Sequence, residues 1–357
     1  MINRLTIKNF KSIKDLTIEC KRINLFIGEP NTGKSNILEA LGLLSWLTYA
    51  KTLPEKQNNP QNISSFLIQS QSFYPKLSDF IRFISVQDLF RDGLIDDKVE
   101  IVTKNKKESG IEMALQSSLF VIETKMEKYE KKSNQKPTLT KLDYNGDVME
   151  MSNVIEDFSS IKFYRFLKQQ FFFPIDFTSY LLPPSGSNLF SLIMGNKKLR
   201  EIMIHFYKES DLVLVLKPQG RTFEIQSQRK DFVFSYPYIS VSDTLQRILF
   251  HIIAMESNEN STLIFEEPEA YAFPYFTKYL GERIAQYNSN QFFISTHNPY
   301  LLQSIMEKAD KKDINIFVSL VKDFQTKVVL LRSNQVSELL DSDPFFNLAN
   351  ILEKENE

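Results

Sequence analysis

Apolar and polar residues alternate along the first part of the chain, a pattern typical of strands that bury one face. The alternation runs from Leu5 to Ile18 and leads into an uninterrupted apolar run at residues 23–27. Two or three strands are therefore predicted within residues 1–27. A few residues later the apolar positions recur at helical spacing, which predicts a helix that extends to about Tyr49.

The middle of the chain is less regular. Residues 54–62 are polar and contain two prolines, so we predict a loop there, followed by a short helix near residues 80–84. Between residues 99 and 238 short strand-type runs dominate, at residues 99–103, 111–115, 139–149, 213–216 and 223–226. The pair Asn145-Gly146 predicts a tight hairpin turn, and residues 217–220 predict a second turn.

From residue 240 onward, helical and strand patterns alternate again. The predicted elements are a helix over residues 245–253, strands at 262–265 and 291–295, a helix from about Pro299, and a hairpin of residues 314–321 and 327–331. Alternation of this kind indicates an α/β fold.

Composition is that of a folded protein without a strong charge bias. The 357 residues are 42% hydrophobic and 24% charged, with a net charge of −1, which provides no global argument for nucleic-acid binding. The single cysteine, Cys20, excludes an internal disulfide and fits a reducing cytoplasm. No apolar run is long enough to span a membrane, so a cytoplasmic protein is expected. A lysine-rich segment at residues 125–141 is either a solvated face or a phosphate-backbone contact, and base rates favour the solvated face.

Residues 28–35, directly after the apolar run at 23–27, match the pattern G-x-x-x-x-G-K-S of a phosphate-binding loop. Gly28 allows a tight turn, and Gly33 allows the backbone to approach a phosphate. Lys34 adds a positive charge for the β- and γ-phosphates, and the Ser35 hydroxyl can bind Mg²⁺. The predicted nucleotide-binding residues are Gly28, Glu29, Pro30, Asn31, Thr32, Gly33, Lys34, Ser35 and Asn36.

Two adjacent carboxylates, Glu266 and Glu267, end the apolar strand predicted at residues 262–265. Together with a phosphate-binding loop this is the Walker B pattern. We expect Glu266 to hold Mg²⁺ and Glu267 to orient or deprotonate the attacking water. His297 follows the next predicted strand and is a candidate sensor of the γ-phosphate. His205 and His251 lie on apolar helical patterns and are predicted to be packing residues.

Ser242 and Asp243 begin the helix that precedes the Walker B strand. Either residue could cap that helix, and a helix amino terminus also attracts anions. Spacing alone does not separate plain capping from anion binding.

Four segments resemble the RecF/SMC-type ATPases of the ABC class. They are residues 31–41 at the phosphate-binding loop, 7–13 at the amino terminus, 265–269 at Walker B and 295–299 at the histidine. The last two are similar to the "AAA-type" branch, which includes the ATPase heads of the overcoming-lysogenisation-defect nucleases and of phage-defence systems. The resemblance covers roughly residues 1–50 and 238–335.

The resemblance implies an α/β P-loop NTPase of the ABC-ATPase head type, with a mixed sheet and helices on both of its sides. The ATPase core would be discontinuous, formed by residues 1–50 and 238–335. Residues 51–237 would be an inserted β-rich and helical lid, and residues 336–357 a helix with an acidic tail. No heptad pattern is long enough for a long coiled coil.

The resemblance also implies ATP and Mg²⁺ as ligands and a homodimer, or a higher even-numbered oligomer, that closes around two ATP molecules. Ser242, Asp243 and Thr244 would take the signature position that faces the partner's nucleotide. Gln87 would be a metal-contacting Q-loop residue. This sequence has no glycine in the signature segment, and Glu266 stands where the family usually has Asp.

Three hypotheses for function follow. The first is an ATPase that acts as a molecular switch for a separate effector, such as a nuclease, in phage defence or DNA maintenance. The second is a low-turnover, nucleotide-gated scaffold that holds a nuclease or toxin. The third is a RecF-like repair ATPase that contacts DNA.

Overall fold

The structure is a computed structural model, and it describes residues 1–57, 75–105, 108–126, 139–151, 158–168 and 178–341. The strands are β1 (Arg4–Phe10), β2 (Ile13–Glu19), β3 (Ile23–Ile27), β4 (Val99–Lys104), β5 (Glu108–Gln116), β6 (Leu119–Met126), β7 (Leu139–Leu142), β8 (Val148–Met151), β9 (Ile161–Tyr164), β10 (Leu212–Lys217), β11 (Thr222–Arg229), β12 (Phe232–Pro237), β13 (Thr262–Glu266), β14 (Gln291–Ser295), β15 (Ile314–Lys322) and β16 (Gln325–Leu330). The helices are α1 (Lys34–Gln57), α2 (Leu77–Phe80), α3 (Leu189–Gly195), α4 (Lys197–Lys208), α5 (Asp243–Glu256), α6 (Pro274–Gln286), α7 (Pro299–Lys308) and α8 (Ser333–Asp341).

A six-stranded mixed sheet forms the centre of the fold, in the order β16-β15-β3-β14-β13-β9. Strands β15, β3, β14, β13 and β9 are parallel, and β16 is antiparallel to β15. The register aligns Phe26, Ser295 and Glu266 across β3, β14 and β13. The three chain segments that follow these strands therefore leave the sheet at the same edge, where ligands bind in open α/β sheets.

Both faces of this sheet are covered, which explains why β3 is apolar at nearly every position. Ile23, Leu25 and Ile27 belong to a core that also contains buried residues of α3 to α7. Phe26 points to the other face, where its ring stacks on Phe317 with ring centroids 5.2 Å apart. That second core contains α1 and the inner residues of another sheet. The predicted mixed sheet with helices on both sides is thus confirmed.

The second sheet has seven antiparallel strands in the order β2-β1-β4-β5-β6-β7-β8, and β10-β11-β12 form a third, smaller sheet. Strand β1 pairs with β4, with Arg4 opposite Lys104. The β-rich layer therefore incorporates strands from the predicted core segment 1–50. Conversely, β9 lies within the predicted insert 51–237 but pairs with β13 in the central sheet. The predicted boundaries do not follow the sheets, because strands distant in sequence pair across them.

The local predictions are wrong at two helix boundaries and correct at two turns. Helix α1 continues to Gln57, beyond the predicted end at Tyr49 and into the predicted loop 54–62, whose residues 58–62 lie outside the described residues. Helix α2 ends at Phe80, and Ile81 is already extended. The two predicted hairpin turns are confirmed, since β7 pairs with β8 and β10 pairs with β11.

The described helices are too short for a long coiled coil, and the polar segments of the chain are only partly described. In the described part of the chain the longest helix is α1, with 24 residues, so no long coiled coil is present there. None of the described helices is both long and apolar enough to cross a membrane. The acidic tail and most of the lysine-rich segment lie outside the described residues. Lys141, at the end of that segment, forms an ion pair with Glu150.

Candidate active site

The phosphate-binding loop connects β3 to α1, and its two motif glycines are required by backbone geometry. Gly28 has φ +139°, and a Cβ there would lie 2.3 Å from the carbonyl oxygen of Ser319. Gly33 has φ +91°, and a Cβ there would lie 1.9 Å from Thr326 Oγ1. No L side chain fits either position without displacing a neighbouring element. The loop is therefore pressed against the β15–β16 hairpin.

Hydrogen bonds between side chains support this packing. Thr326 Oγ1 and Ser12 Oγ are 2.7 Å apart, and Asn36 Nδ2 donates to Ser12 Oγ across 2.7 Å. The side chain of Asn36, a predicted nucleotide contact, thus braces the first turn of α1 against the β1–β2 turn.

At the tip of the loop, Glu29, Pro30 and Asn31 are exposed. Asn31 has φ +61°, a left-handed conformation that asparagine tolerates better than most residues. The α-helical part begins at Lys34, so the free backbone N–H groups of the first turn and the positive end of the helix dipole lie at the loop.

Lys34 is held inside the loop by backbone oxygens. Its buried Nζ donates to the carbonyl oxygens of Gly28 across 2.9 Å and of Glu29 across 2.6 Å. Thr32 Oγ1 donates to the same Glu29 carbonyl across 2.8 Å. Burial lowers the pKa of Lys34 to about 8, although the charges of Glu267 and Glu29 oppose this. A partly desolvated ammonium group interacts strongly with any anion brought to the loop.

The carboxylate of Glu266 lies beside the hydroxyl of Ser35, which hydrogen-bonds to it. Arg82 Nη2 donates to Oε1 across 2.7 Å, and Arg165 Nη2 donates to Oε2 across 3.3 Å. Burial raises the pKa of Glu266, but the Ser35 hydrogen bond and both arginines outweigh burial and lower it. An ionised carboxylate next to a hydroxyl oxygen is a donor set that fits Mg²⁺.

Glu39 connects these arginines to α1, and sequence reasoning missed it. Its fully buried carboxylate accepts from Arg82 Nε across 2.8 Å and from the Arg82 backbone N–H across 3.3 Å. Arg165 Nη2 lies 3.4 Å from the same oxygen, and Lys11 Nζ donates to the other oxygen. We call Lys11, Glu39, Arg82, Arg165 and Glu266 the ion cluster. It contains three cations and two carboxylates.

Local patterns could not have found the ion cluster. Arg82 and Arg165 lie 43 and 126 residues from Glu39 in the sequence. Arg165 directly follows β9, the strand that joins the central sheet beside β13. Only that pairing brings its guanidinium group next to Glu266.

Glu267 and His297 form the other side of the site. His297 Nε2 is 3.5 Å from Glu267 Oε1, and the side chains are 36% and 45% exposed, so water reaches both. Burial and the charge of Lys34 lower the pKa of His297, while Glu267 opposes this. The backbone of Glu267 has φ +42°, and its N–H donates to Ser295 O across 3.0 Å. A left-handed, non-glycine residue at such a position is a feature of functional sites.

Gln87, predicted as a metal contact, has its side-chain amide bonded to other groups. It belongs to the 3-10 helix Val86–Leu89, where its Nε2 donates to Gly93 O across 2.9 Å. Its Oε1 accepts from the Tyr144 hydroxyl. Both ends of the amide are thus used within the β-rich layer, and Arg82 is the residue from this stretch that reaches Glu266.

Ser242 and Asp243 lie exposed at the start of α5. Ser242 occupies the N-cap position, but its side chain makes no capping hydrogen bond, contrary to expectation. Asp243 pairs with Lys168 across 2.8 Å. The next residue, Thr244, donates to the carbonyl oxygen of Tyr271 across 2.9 Å, which ties the helix start to the segment after Glu267.

The other two histidines differ from each other. His251 is buried, and its Nδ1 is 2.8 Å from Arg247 O, as expected of a packing residue. Burial lowers its pKa to about 3, so the ring is neutral. The prediction for His205 is wrong, because its side chain is exposed and lies 3.4 Å from Glu209.

No group of three or more His, Cys, Asp or Glu side chains that could hold a metal ion occurs among the residues that the structure describes. Protein sites for Mg²⁺ commonly use only one or two carboxylates together with water and substrate phosphates. Ser35 and Glu266 are sufficient for that type of site.

Comparison with known proteins identified a family and several similar folds. The profile of a family described as "AAA ATPase domain" matches residues 1–179 of the 357, which include the phosphate-binding loop and four of the five ion-cluster residues. An SMC head bound to the C-winged helix domain of ScpA is 14% identical, with a TM-score of 0.48 over 94% of this chain and 99% of that chain. The SMC head domain from Thermotoga maritima is 14% identical, with a TM-score of 0.39 over 93% and 99%. An Smc head domain with an extended coiled coil, bound to the C-terminal domain of ScpA derived from Pyrococcus furiosus, is 13% identical, with a TM-score of 0.46 over 95% and 98%.

Proposed function

The chain belongs to the family of the AAA ATPase domain, and from this premise we propose that it binds ATP with Mg²⁺ and hydrolyses it to ADP and phosphate. The observation that carries the proposal is the arrangement at one edge of the central sheet. Lys34 and Ser35 follow β3, Glu266 and Glu267 lie at the end of β13, and His297 follows β14. The ammonium group, the proposed Mg²⁺ ligands, the proposed general base and the histidine thus lie in one site.

Each residue has a separate role in the proposed reaction. Lys34 and the amino terminus of α1 bind the phosphate oxygens. Ser35 and Glu266 would hold Mg²⁺, which supplies positive charge against the phosphates when it is bound. Glu267 accepts a proton from water as the water oxygen bonds to the γ-phosphorus and the bond to the ADP oxygen breaks. His297 hydrogen-bonds to the γ-phosphate and lies beside the attacking water.

Arg82 and Arg165 add charge that the sequence motifs do not include. Both guanidinium groups bind Glu266, and the Arg82 side chain is partly exposed. In the proposed site they keep Glu266 ionised, as a Mg²⁺ ligand must be.

The proposal extends to a switch that works through association of two copies. Ser242 and Asp243 are exposed, and Thr244 links them to the segment that contains Tyr271, Phe273 and Tyr275. These three aromatic side chains are exposed close to the catalytic edge. Exposed large aromatic residues are typical of interaction surfaces. A homodimer, or a higher even-numbered oligomer, would form when each α5 start meets the nucleotide of a second copy, and hydrolysis would release it. The output would act on a separate effector such as a nuclease, in phage defence or DNA maintenance.

The catalytic assignment is tested with Glu267→Gln. This change keeps the shape of the side chain but removes the proton acceptor, so ATP binding should be retained. Turnover should fall by about 10²-fold or more, as expected when a general base is lost. Binding is measured with a fluorescent ATP analogue and turnover by phosphate release.

Glu282→Gln is the matched control, because Glu282 lies on α6 and pairs only loosely with Lys278 and Lys308, at 4.0 and 3.9 Å. It should leave both measurements unchanged. Equal turnover in Glu267→Gln and the natural protein would sink the assignment of the base. Tight binding without turnover in the natural protein would favour the low-turnover scaffold instead.

Association is tested on the same Glu267→Gln protein by light scattering with and without Mg-ATP. The mass should double on addition of nucleotide, because bound ATP persists at the site. A monomer mass under both conditions would contradict the dimer while leaving the ATPase assignment intact.

A further inference from the structure

Glu269 is a buried carboxyl group next to the catalytic residues, with no role in the steps described above. It lies in the turn after β13, two residues beyond Glu267, and only 4% of it is exposed. Successive hydrogen bonds shape this turn, from Ala270 N to Glu267 O across 3.0 Å and from Ala272 N to Glu269 O across 2.8 Å. The Glu269 side chain therefore originates from a well-defined backbone.

The side chain reaches across to the segment that carries His297. Oε1 of Glu269 accepts a hydrogen bond from the hydroxyl of Thr296, which is itself fully buried. The Thr296 hydroxyl oxygen accepts in turn from the backbone N–H of Asn298 across 2.9 Å. This chain of bonds ties down the residues on both sides of His297.

The backbone of the same segment is anchored at two more points. Thr296 N–H donates to Phe26 O across 3.1 Å, at the end of the strand that enters the phosphate-binding loop. The Asn298 side chain caps α7 and accepts from Tyr300 N across 2.9 Å. His297 is thus the one residue of the segment 296–298 whose side chain is directed at Glu267.

A carboxyl group is a costly choice for a purely structural bond at this position. The backbone N–H groups of Glu269 and His297 also interact with this carboxyl group, but they do not offset its burial. Burying a carboxyl group is unfavourable, and a smaller neutral side chain would avoid that cost. Burial also raises the pKa of Glu269 to about 7. A buried group that costs stability calls for a specific explanation.

We infer that Glu269 is a positioning residue which, through Thr296, holds the His297 ring against Glu267 for the hydrolysis proposed above. The expected effect on kcat rests on that proposed function, whereas the expected position of the His297 ring does not. Without the Glu269 acceptor, the segment 296–298 loses its link to the turn after β13, and His297 can move away from the 3.5 Å distance to Glu267.

The kinetic test compares Glu269→Ala with Glu269→Gln. The alanine variant should lower kcat by about tenfold or more, the effect of one lost hydrogen bond in a positioned group, with KM for ATP unchanged. Glutamine keeps a side-chain oxygen that can accept from Thr296, so it should restore most of kcat. Thr296→Val removes the hydroxyl donor of the same bond with little change in side-chain shape, so it should lower kcat as much as Glu269→Ala does. It also tests the bond independently if Glu269→Ala folds poorly.

A double-mutant cycle separates positioning from general destabilisation. If Glu269 acts through His297, the pair Glu269→Ala with His297→Ala should be no slower than His297→Ala alone. If the reductions in kcat of the two single variants multiply in the double variant, the inference is overturned. Glu282→Ala is the control for loss of a carboxylate on a neighbouring helix, and its effect should be absent.

A spectroscopic measurement does not depend on hydrolysis. The chain has three histidines, so their ring resonances can be assigned in NMR spectra by single substitutions. In Glu269→Ala and Thr296→Val the His297 resonance should move toward that of exposed His205, while buried His251 stays unchanged. A natural protein without ATPase activity, but with this shift in the variants, would refute the proposed function and support the inference. An unmoved His297 resonance would refute the inference whatever the activity.

Discussion

Glu266 and Glu267 are neighbours in sequence, yet the regions on their two sides are built in opposite ways. Glu266 faces the ion cluster, where Ser35, Arg82 and Arg165 hold its carboxylate and lower its pKa. Glu267 faces a region that water reaches, with His297 at 3.5 Å and a left-handed backbone. The first region immobilises a carboxylate, and the second leaves a carboxylate next to solvent.

In the proposed mechanism, this difference would allow one strand end to supply two chemical roles. A metal ligand has to be ionised and fixed, which paired arginines achieve. A general base has to exchange a proton with water, which requires access and a loosely held carboxylate. The strand β13 places both side chains, but their surroundings come from different segments. Three experiments separate the two regions, and their expected effects decrease from the first to the last.

The largest effect is expected at the centre of the ion cluster. Glu39→Gln leaves Lys11, Arg82 and Arg165 without their shared buried carboxylate. Breaking a buried ion pair in this way should lower the free energy of unfolding by about 3–5 kcal/mol. Urea denaturation followed by circular dichroism measures this change.

The matched control for this substitution is again Glu282→Gln, since Glu282 makes only loose pairs on α6. Its effect should stay within about 0.5 kcal/mol. If Glu39→Gln lowers the free energy of unfolding by less than about 1 kcal/mol, the ion cluster contributes no more than exposed surface ion pairs do.

The second effect concerns the region of Glu267 and depends on pH. The ordinary pKa of a glutamate is 4.5, and burial raises that of Glu269 to about 7. As pH rises from 4.5 to about 7, the unfolded chain releases this proton while the folded chain retains it, so the natural protein loses stability. The total loss attributable to Glu269 should be about 3 kcal/mol at most.

Glu269→Gln cannot ionise and should not show this loss. The difference in melting temperature between the two proteins should therefore shift in favour of the variant as pH rises from 5 to 8. Comparing the proteins at each pH cancels the titration of their other groups. A constant difference across this range would show that Glu269 does not titrate as its burial requires.

The smallest effect distinguishes the two neighbouring carboxylates directly. Glu266→Gln should lower the affinity for Mg²⁺ in ATP binding by at least about tenfold, because even loss of a partner that supports a metal ligand has an effect of this size. Glu267→Gln should leave the Mg²⁺ affinity unchanged. Titration of Mg²⁺ against a fluorescent ATP analogue compares them, and equal Mg²⁺ affinities in both variants would contradict the division of roles.

Features of the fold with short-range causes were predictable from sequence. The loop 28–35 needs glycines at two fixed positions, and the turn at Asn145-Gly146 needs positive φ at its glycine, which has φ +86°. Both requirements are visible in the residue types themselves. The strands that end in Glu266 and Ser295 were visible as apolar runs, because parallel strands covered on both faces have no polar positions to interrupt them.

The failures share a different cause. Strand β9 has only four residues, and nothing in its pattern shows that it joins the central sheet beside β13. Gln87 was assigned to the metal by its order along the chain, whereas its amide is bonded to Gly93 and Tyr144. His205 lies on a helix with an apolar stripe but faces solvent. Each outcome depends on neighbours that are remote in sequence.

The sequence by itself determined the phosphate-binding loop, the paired carboxylates Glu266 and Glu267, and the α/β class, because each follows from local backbone requirements and periodicity. Only the tertiary structure decided what surrounds those carboxylates. Arg82, Arg165 and Glu39 meet at Glu266 because β9 pairs with β13 and α1 packs beneath them. Electrostatic environment depends on distance in space, and the sequence records only distance along the chain.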